Sequence, residues 1–241
     1  MTVEKLFWAD PYLTRTQAVV ESVDGDVVTV DRTVAFAFSG GQASDEGTIA
    51  GLPIIEARTR GLDIEYVLPS GHELQPGQSV EVAIDGATRR RLMRLHFAAE
   101  LVLELMTQQH PEATKIGANI TKDKARVDFA WPGNIAETFQ LLEAEVERMV
   151  REDRTVVSEF SDVATQSRYW EIAGVAHVPC GGAHPRSTGE VGRIVLKRVN
   201  PGRGKERIEI YLAGGVSSTC LLGSGTSVRP PHRVPPTSWP C

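Results

Sequence analysis

Cysteine is scarce. Cys180, Cys220 and Cys241 are the three in 241 residues, and the last two fall in an irregular C-terminal stretch. A scaffold stapled by disulfides is therefore not expected, and a reducing cytoplasm is the expected setting. Long apolar runs are missing too. No window of about 18 apolar residues exists, so no transmembrane helix is expected. The opening MTVEKLFWADPYL lacks the basic start and apolar run of a secretory leader. Positive charge is also in short supply. The formal balance is −5, which taken as one number argues against a nucleic-acid partner.

The distribution of charge says more than its sum. Residues 1–86 carry 14 acidic and 5 basic side chains. Residues 180–213 reverse this, with seven basic against three acidic. The basic side chains there are Arg186, Arg193, Lys197, Arg198, Arg203, Lys205 and Arg207. Such a segment could contact phosphates, although on charge alone a solvated strand surface is the favoured reading.

Pattern divides the chain into three parts. Residues 1–86 read as β-rich. Short β-branched runs at Ala18–Val23, Asp26–Arg32, Leu62–Leu68 and Ser79–Asp85 are punctuated by Asp24-Gly25 and Pro76-Gly77. The spacing predicts a small barrel, with Ser39–Gly47 as a glycine-rich loop. From Thr88 to Met106, apolar residues recur at Leu92, Leu95, Ala99, Val102 and Met106, which predicts a helix. A second helix is predicted over Ile135–Asp153, with Asn134 and Glu137 at its start. Strands are predicted at Ala125–Ala130, Thr155–Phe160, Val191–Val199 and Glu206–Leu212. Residues 87–213 thus read as an α+β unit. Residues 214–241 are rich in Ser, Gly and Pro without periodicity, and disorder is expected there. Cys220, His232 and Cys241 are accordingly set aside.

Two residue pairs carry chemistry. His96 and Glu100 stand four apart on the first helix, on one face with Cβ atoms about 5–6 Å apart. Cys180-Gly181-Gly182-Ala183-His184 places a thiol and an imidazole on a curl of backbone that glycine permits. Each pair alone is a weak signal. Together they offer up to four zinc-type ligands from distant segments, as a folded metal site requires. His72 and His110 sit in turns. His177 is a candidate substitute ligand, three residues before Cys180.

At this point the chain resembles the AlaX family, freestanding relatives of the alanyl-tRNA synthetase editing domain. The resemblance runs over residues 4–213. It is carried by DPYL at Asp10–Leu13, VDRT at Val30–Thr33 and the GGQ loop at Gly40–Gly47. It continues in IDGATRRRLMRLHFAAE at Ile84–Glu100, in CGGAHPRSTGEVG at Cys180–Gly192, and in the closing runs Ile194–Lys197 and Arg207–Leu212. The resemblance implies an α+β chain: a translation-factor-like β-barrel over 1–86, then the α/β editing domain of alanyl- and threonyl-tRNA synthetases over 87–213. It implies hydrolysis of serine or glycine wrongly esterified to the tRNA for alanine. The cofactor implied is Zn²⁺ held by His96, Cys180 and His184, with Glu100 where the family has a second His. Zinc at such a site can orient the aminoacyl end and polarise a water toward the ester carbonyl.

Glu100 is open to two roles, fourth ligand or general base. The loop residues Gly40, Gly41 and Gln42 would face the tRNA terminus, Gln42 as a catalytic amide. Arg89, Arg90, Arg94, Arg186, Lys197 and Arg198 would contact the tRNA. Phe97 and Ala183 each stand where the family has Thr, which would remodel the pocket reading the misplaced amino acid. A second reading is a tRNA- or partner-binding homologue with weakened catalysis, and a third is a metal-stabilised module acting on another aminoacyl ester.

Overall fold

Alternation of buried and solvated side chains builds the first half. In Ser79–Ile84 the residues Val80, Val82 and Ile84 turn inward while their neighbours do not. In the computed structural model, which describes residues 2–213, seven strands join one antiparallel sheet. Their order is Leu52–Pro53, Gly47–Ile49, Ser79–Ile84, Arg15–Asp24, Val27–Val30, Asp63–Val67 and Glu56–Arg60. The ten-residue strand Arg15–Asp24 is shared: its first half pairs with Ser79–Ile84 and its second with Val27–Val30. The run expected over Asp26–Arg32 breaks at Asp31, and Arg32–Thr33 leaves the sheet to pair in parallel with Glu4–Lys5. The core here includes Val28, Ile49, Ile64, Tyr66 and Val82.

The second half packs two helices on a four-stranded antiparallel sheet, ordered Thr114–Ile120, Ala125–Ala130, Lys205–Leu212 and Ile194–Gly202. We number the helices α1 (Leu6–Ala9), α2 (Gly86–Gln109) and α3 (Phe139–Glu152). Helix α2 starts where Asp85 caps it, accepting from the N–H groups of Ala87 and Thr88 at 2.8 and 2.9 Å. Before α3, a 3₁₀ turn at Ile135–Thr138 is capped by Asn134, which accepts from Ala136 N–H at 3.2 Å. Glu137 contributes its backbone N–H, donated to the Asn134 carbonyl, rather than a reciprocal side-chain bond. A smaller antiparallel sheet of Val157–Asp162, Ser167–Ile172 and Ala176–Pro179 lies between α3 and the Cys180 loop in sequence. Its last two strands, and Thr114–Ile120, were not expected. Among the described residues no helix is long and apolar enough to cross a membrane. The tail expected over 214–241, with Cys220, His232 and Cys241, lies outside the described residues.

One arginine corrects the sequence reading. Arg89, expected to face tRNA, is fully buried. Its guanidinium forms an ion pair with buried Asp45 and donates to the carbonyls of Pro11 and Val34 at 3.0 and 2.6 Å. Asp45 also accepts from Phe36 N–H at 2.7 Å. The residue therefore ties α2 to the N-terminal sheet region and is out of reach of any tRNA. Arg89→Met is expected to cost about 3–5 kcal/mol of stability, because it strands a buried carboxylate. Urea denaturation against the parent chain measures this, and a loss below about 1 kcal/mol contradicts it.

Candidate metal centre

Helix α2 carries His96 and Glu100 inward, one turn apart, among fully buried Leu95, Phe97 and Ala98. The Cys180–His184 loop approaches from the other side. His96 Nε2 lies 3.5 Å from Cys180 Sγ and 3.5 Å from Glu100 Oε1. One ligand atom each from His96, Cys180 and His184 falls within 4.8 Å of the others. The imidazoles of His96 and His184 sit 5.2 Å apart, centre to centre. Such a close approach of helix and loop demands glycine at 182. A Cβ there would overlap the His96 ring, with Nδ1 at 2.6 Å.

Two further groups orient the set. Ser158 Oγ lies 3.0 Å from His184 Nδ1, which leaves His184 Nε2 buried without a partner. Trp170, fully buried, donates its indole N–H to Glu100 Oε2 at 3.3 Å, and Oε1 remains directed at His96. Ser158 and Trp170 are direct cross-strand partners, so one rung of the small sheet braces both groups. Neither residue type in a short strand distinguishes itself in a sequence, and neither was anticipated.

Electrostatics within the cluster favours a cation. Burial resists charge on His96, but the Cys180 sulfur and then Glu100 outweigh it and raise its pKa to about 10. Burial, reinforced by the charge on His96, pushes His184 down to about 3. Burial likewise opposes charge on Glu100, yet His96 holds it down at about 2. A proton on His96 thus supplies positive charge beside the Glu100 carboxylate, while His184 presents a neutral, orphaned nitrogen. Two imidazoles, a thiol and a carboxylate are a donor set suited to zinc, and binding would release that proton.

The other expected residues are scattered. His177 is exposed and stacks on Tyr169 at 4.2 Å, away from the cluster. Gln42 is fully buried with both amide atoms unpartnered, so it has no hydrogen bond to the cluster. Its neighbours in the backbone are Ser39 and Ile120. Gly41, at φ +82°, leaves no room for a Cβ, which would meet the Ala118 carbonyl oxygen at 2.6 Å. Gly40 and Arg90 are exposed. Arg94 donates to the Val191 carbonyl at 3.1 Å. Arg186 pairs with Asp10 at 3.1 Å, and Tyr12 donates to Glu190 at 2.6 Å, so the DPYL and TGE segments meet. Arg198 forms a two-toothed pair with Glu206, and Lys197 lies 4.8 Å over the Tyr211 ring. Phe97 is packed edge-on against Trp170 at 5.2 Å, and Ala183 is buried.

The same His-Cys-His arrangement sits in a chain with relatives along nearly all of its length. It is 28% identical to alanyl-tRNA editing protein AlaX-M of Pyrococcus horikoshii, covering 86% of this chain and 97% of that protein. It is 29% identical to the AlaX-M protein of Methanosarcina mazei, over 87% and 96%. The chain is a relative of the AlaX-M editing proteins. It is also 27% identical to an alanine–tRNA ligase of Metallosphaera sedula, across 90% of this chain but 26% of that longer protein. No family model matches the chain. Against these relatives the fold is the mixed one expected, with many strands and few helices.

Proposed function

We propose that the chain is a trans-editing hydrolase that removes serine or glycine wrongly esterified to the tRNA for alanine, with Zn²⁺ as cofactor. The observation that carries the reading is the convergence of His96, Cys180, His184 and Glu100 in a chain alike to AlaX-M over 86% of its length. In this reading residues 1–86 form a translation-factor-like barrel and residues 87–213 the editing domain. The cytoplasm, where charged tRNA is used, is the place of work.

His96, Cys180 and His184 would hold the ion. When bound, it supplies a Lewis acid beside the ester carbonyl. The rest falls to the chain. Ser158 fixes the His184 ring so that Nε2 faces inward. Trp170 fixes one Glu100 oxygen and leaves the other available to take a proton from an attacking water. Ala183 lines the cavity beside His184 with a small apolar side chain, while Phe97 packs in the core against Trp170 and the His184 ring. The decisive experiment is deacylation of serine-, glycine- and alanine-charged tRNA for alanine by the metal-loaded protein. Release of serine or glycine, with alanine spared, is the expected outcome. No release from any of the three ends the reading. Elemental analysis of protein purified without added metal is expected to find one zinc per chain.

Binding of the tRNA body would use Arg90, Arg94, Arg186, Lys197 and Arg198, while Arg89 is excluded by burial. Affinity should fall steeply with salt as phosphate contacts release counterions. Among the described residues Lys197 makes no ion pair, whereas Arg198 is engaged by Glu206. Lys197→Glu is therefore expected to weaken binding and reduce the salt slope by about 1, leaving zinc content unchanged. Filter binding across a salt series reads this out, and an unchanged slope removes Lys197 from the interface.

A further inference from the structure

Arg168 and Arg89 are both buried arginines, with opposite circumstances. Arg89 has its carboxylate inside the protein. Arg168, 6% exposed, makes no ion pair among the described residues. Its Nη2 donates to the Ser158 carbonyl at 3.0 Å, and its Nε has no partner. Its guanidinium carbon lies 4.5 Å from the Phe160 ring centre and 5.2 Å from that of Trp8. Rings of this kind favour the cation but do not neutralise it. Glu159, which also lines the first cavity, acts on it at a distance without forming an ion pair. A buried cation with no carboxylate in contact is costly, and a ligand anion would offset that cost.

The surroundings describe the ligand. Arg168 and Trp8 line two adjoining cavities of about 250 and 350 Å³. The first is bounded by His184 and Gly182, the second by Cys180, Gly181 and Lys5. Lys5 Nζ lies 4.6 Å over the Trp8 ring and adds a second cation. Trp8 donates its indole N–H to the Gly181 carbonyl at 2.9 Å, which fixes the cleft to the loop carrying Cys180 and His184. The strand register sets the distance. Arg168 and Trp170 are two apart on one strand, and opposite them stand Phe160 and Ser158. All four therefore share one face of the small sheet, with rungs about 7 Å apart. The inner rung braces Glu100 and His184. Arg168 on the outer rung lines the cleft, further from the inner rung by about 7 Å, roughly the span of a sugar and its 5′ methylene.

We propose that this cleft seats the 5′-phosphate of the nucleotide bearing the aminoacyl ester, with Arg168 as its ligand and Trp8 beside the nucleoside. The assignment rests on the editing reading, since that reading makes the adenosine ending every tRNA the group beside the metal centre. A positive cleft with aromatic walls is also what single-stranded nucleic-acid ends require.

Calorimetric titration of the zinc-loaded full chain tests it, with adenosine 5′-monophosphate, adenosine and inorganic phosphate as probes. Adenosine 5′-monophosphate is expected to bind about tenfold more tightly than adenosine, the worth of one charge-assisted contact. Arg168→Met should erase that advantage and leave adenosine binding unchanged, and Arg168→Lys should restore part of it. Equal binding of the two probes by the parent chain overturns the proposal without any variant, so a misfolded Arg168→Met protein does not shelter it. Retention of the advantage in a folded Arg168→Met protein overturns it as well. The editing reading fails separately. A chain that prefers the monophosphate through Arg168 but deacylates no tRNA keeps the phosphate site and loses the reaction. One that deacylates without the preference keeps the reaction and loses the site.

Discussion

Glu100→Gln is expected to leave zinc bound while deacylation falls about 10²–10⁴-fold, the contribution of a positioned general base. The substitution keeps the shape of the side chain, and an amide oxygen can still accept the Trp170 N–H that now reaches Oε2 at 3.3 Å. What disappears is the negative charge and the proton acceptor at Oε1, 3.5 Å from His96 Nε2. Zinc retention separates the two roles open to this carboxylate. His96, Cys180 and His184 would supply three ligands, the usual number where one position is left for water or substrate. Elemental analysis and single-turnover deacylation, run on the same preparation, give the answer. Loss of zinc would make Glu100 a ligand. Unchanged zinc together with unchanged rate would leave it neither role.

Gly182→Ala is expected to reduce zinc affinity about 10–100-fold, as changes just outside a ligand shell do. The added methyl overlaps the His96 ring. His96 cannot retreat, because Leu95, Phe97 and Ala98 are packed on its own helix with no exposure. The loop must withdraw instead, and Cys180 and His184 withdraw with it. Gly181→Ala is the matched control, since a Cβ there meets nothing within 4 Å. Chelator competition on both variants measures the effect. Equal zinc affinity of the two would show that the loop can yield without moving its ligands.

The parts of the site legible in the sequence were those with short-range grammar. His96 and Glu100 obey helical spacing, and the bounds predicted for their helix differ from the observed Gly86–Gln109 by two or three residues. Cys180 and His184 share one loop. The strand Ala125–Ala130 appeared where its alternation placed it. Long-range partners have no such grammar. Arg89 opens the run Arg89-Arg90-Arg91, which reads as solvated surface, and only Asp45, 44 residues earlier, reveals it as interior. Trp170 and Ser158 owe their roles to a cross-strand register that no local pattern encodes. The strands Thr114–Ile120 and Ala176–Pro179 escaped because Gly117 and Pro179 weaken their β signal and neither strand buries more than one residue.

The 84 residues separating His96 from Cys180 have a consequence in time. A ribosome adding about 5–20 residues per second makes them in on the order of 4–17 s. Throughout that interval the growing chain carries only half of the proposed metal centre. His96 and Glu100 alone are a poor zinc site, so the ion cannot template the early fold. It can bind only after the small sheet and the Cys180 loop have emerged and docked. Zinc, bound there as proposed, would thus be a late fastener, added to a chain whose other contacts are already in place.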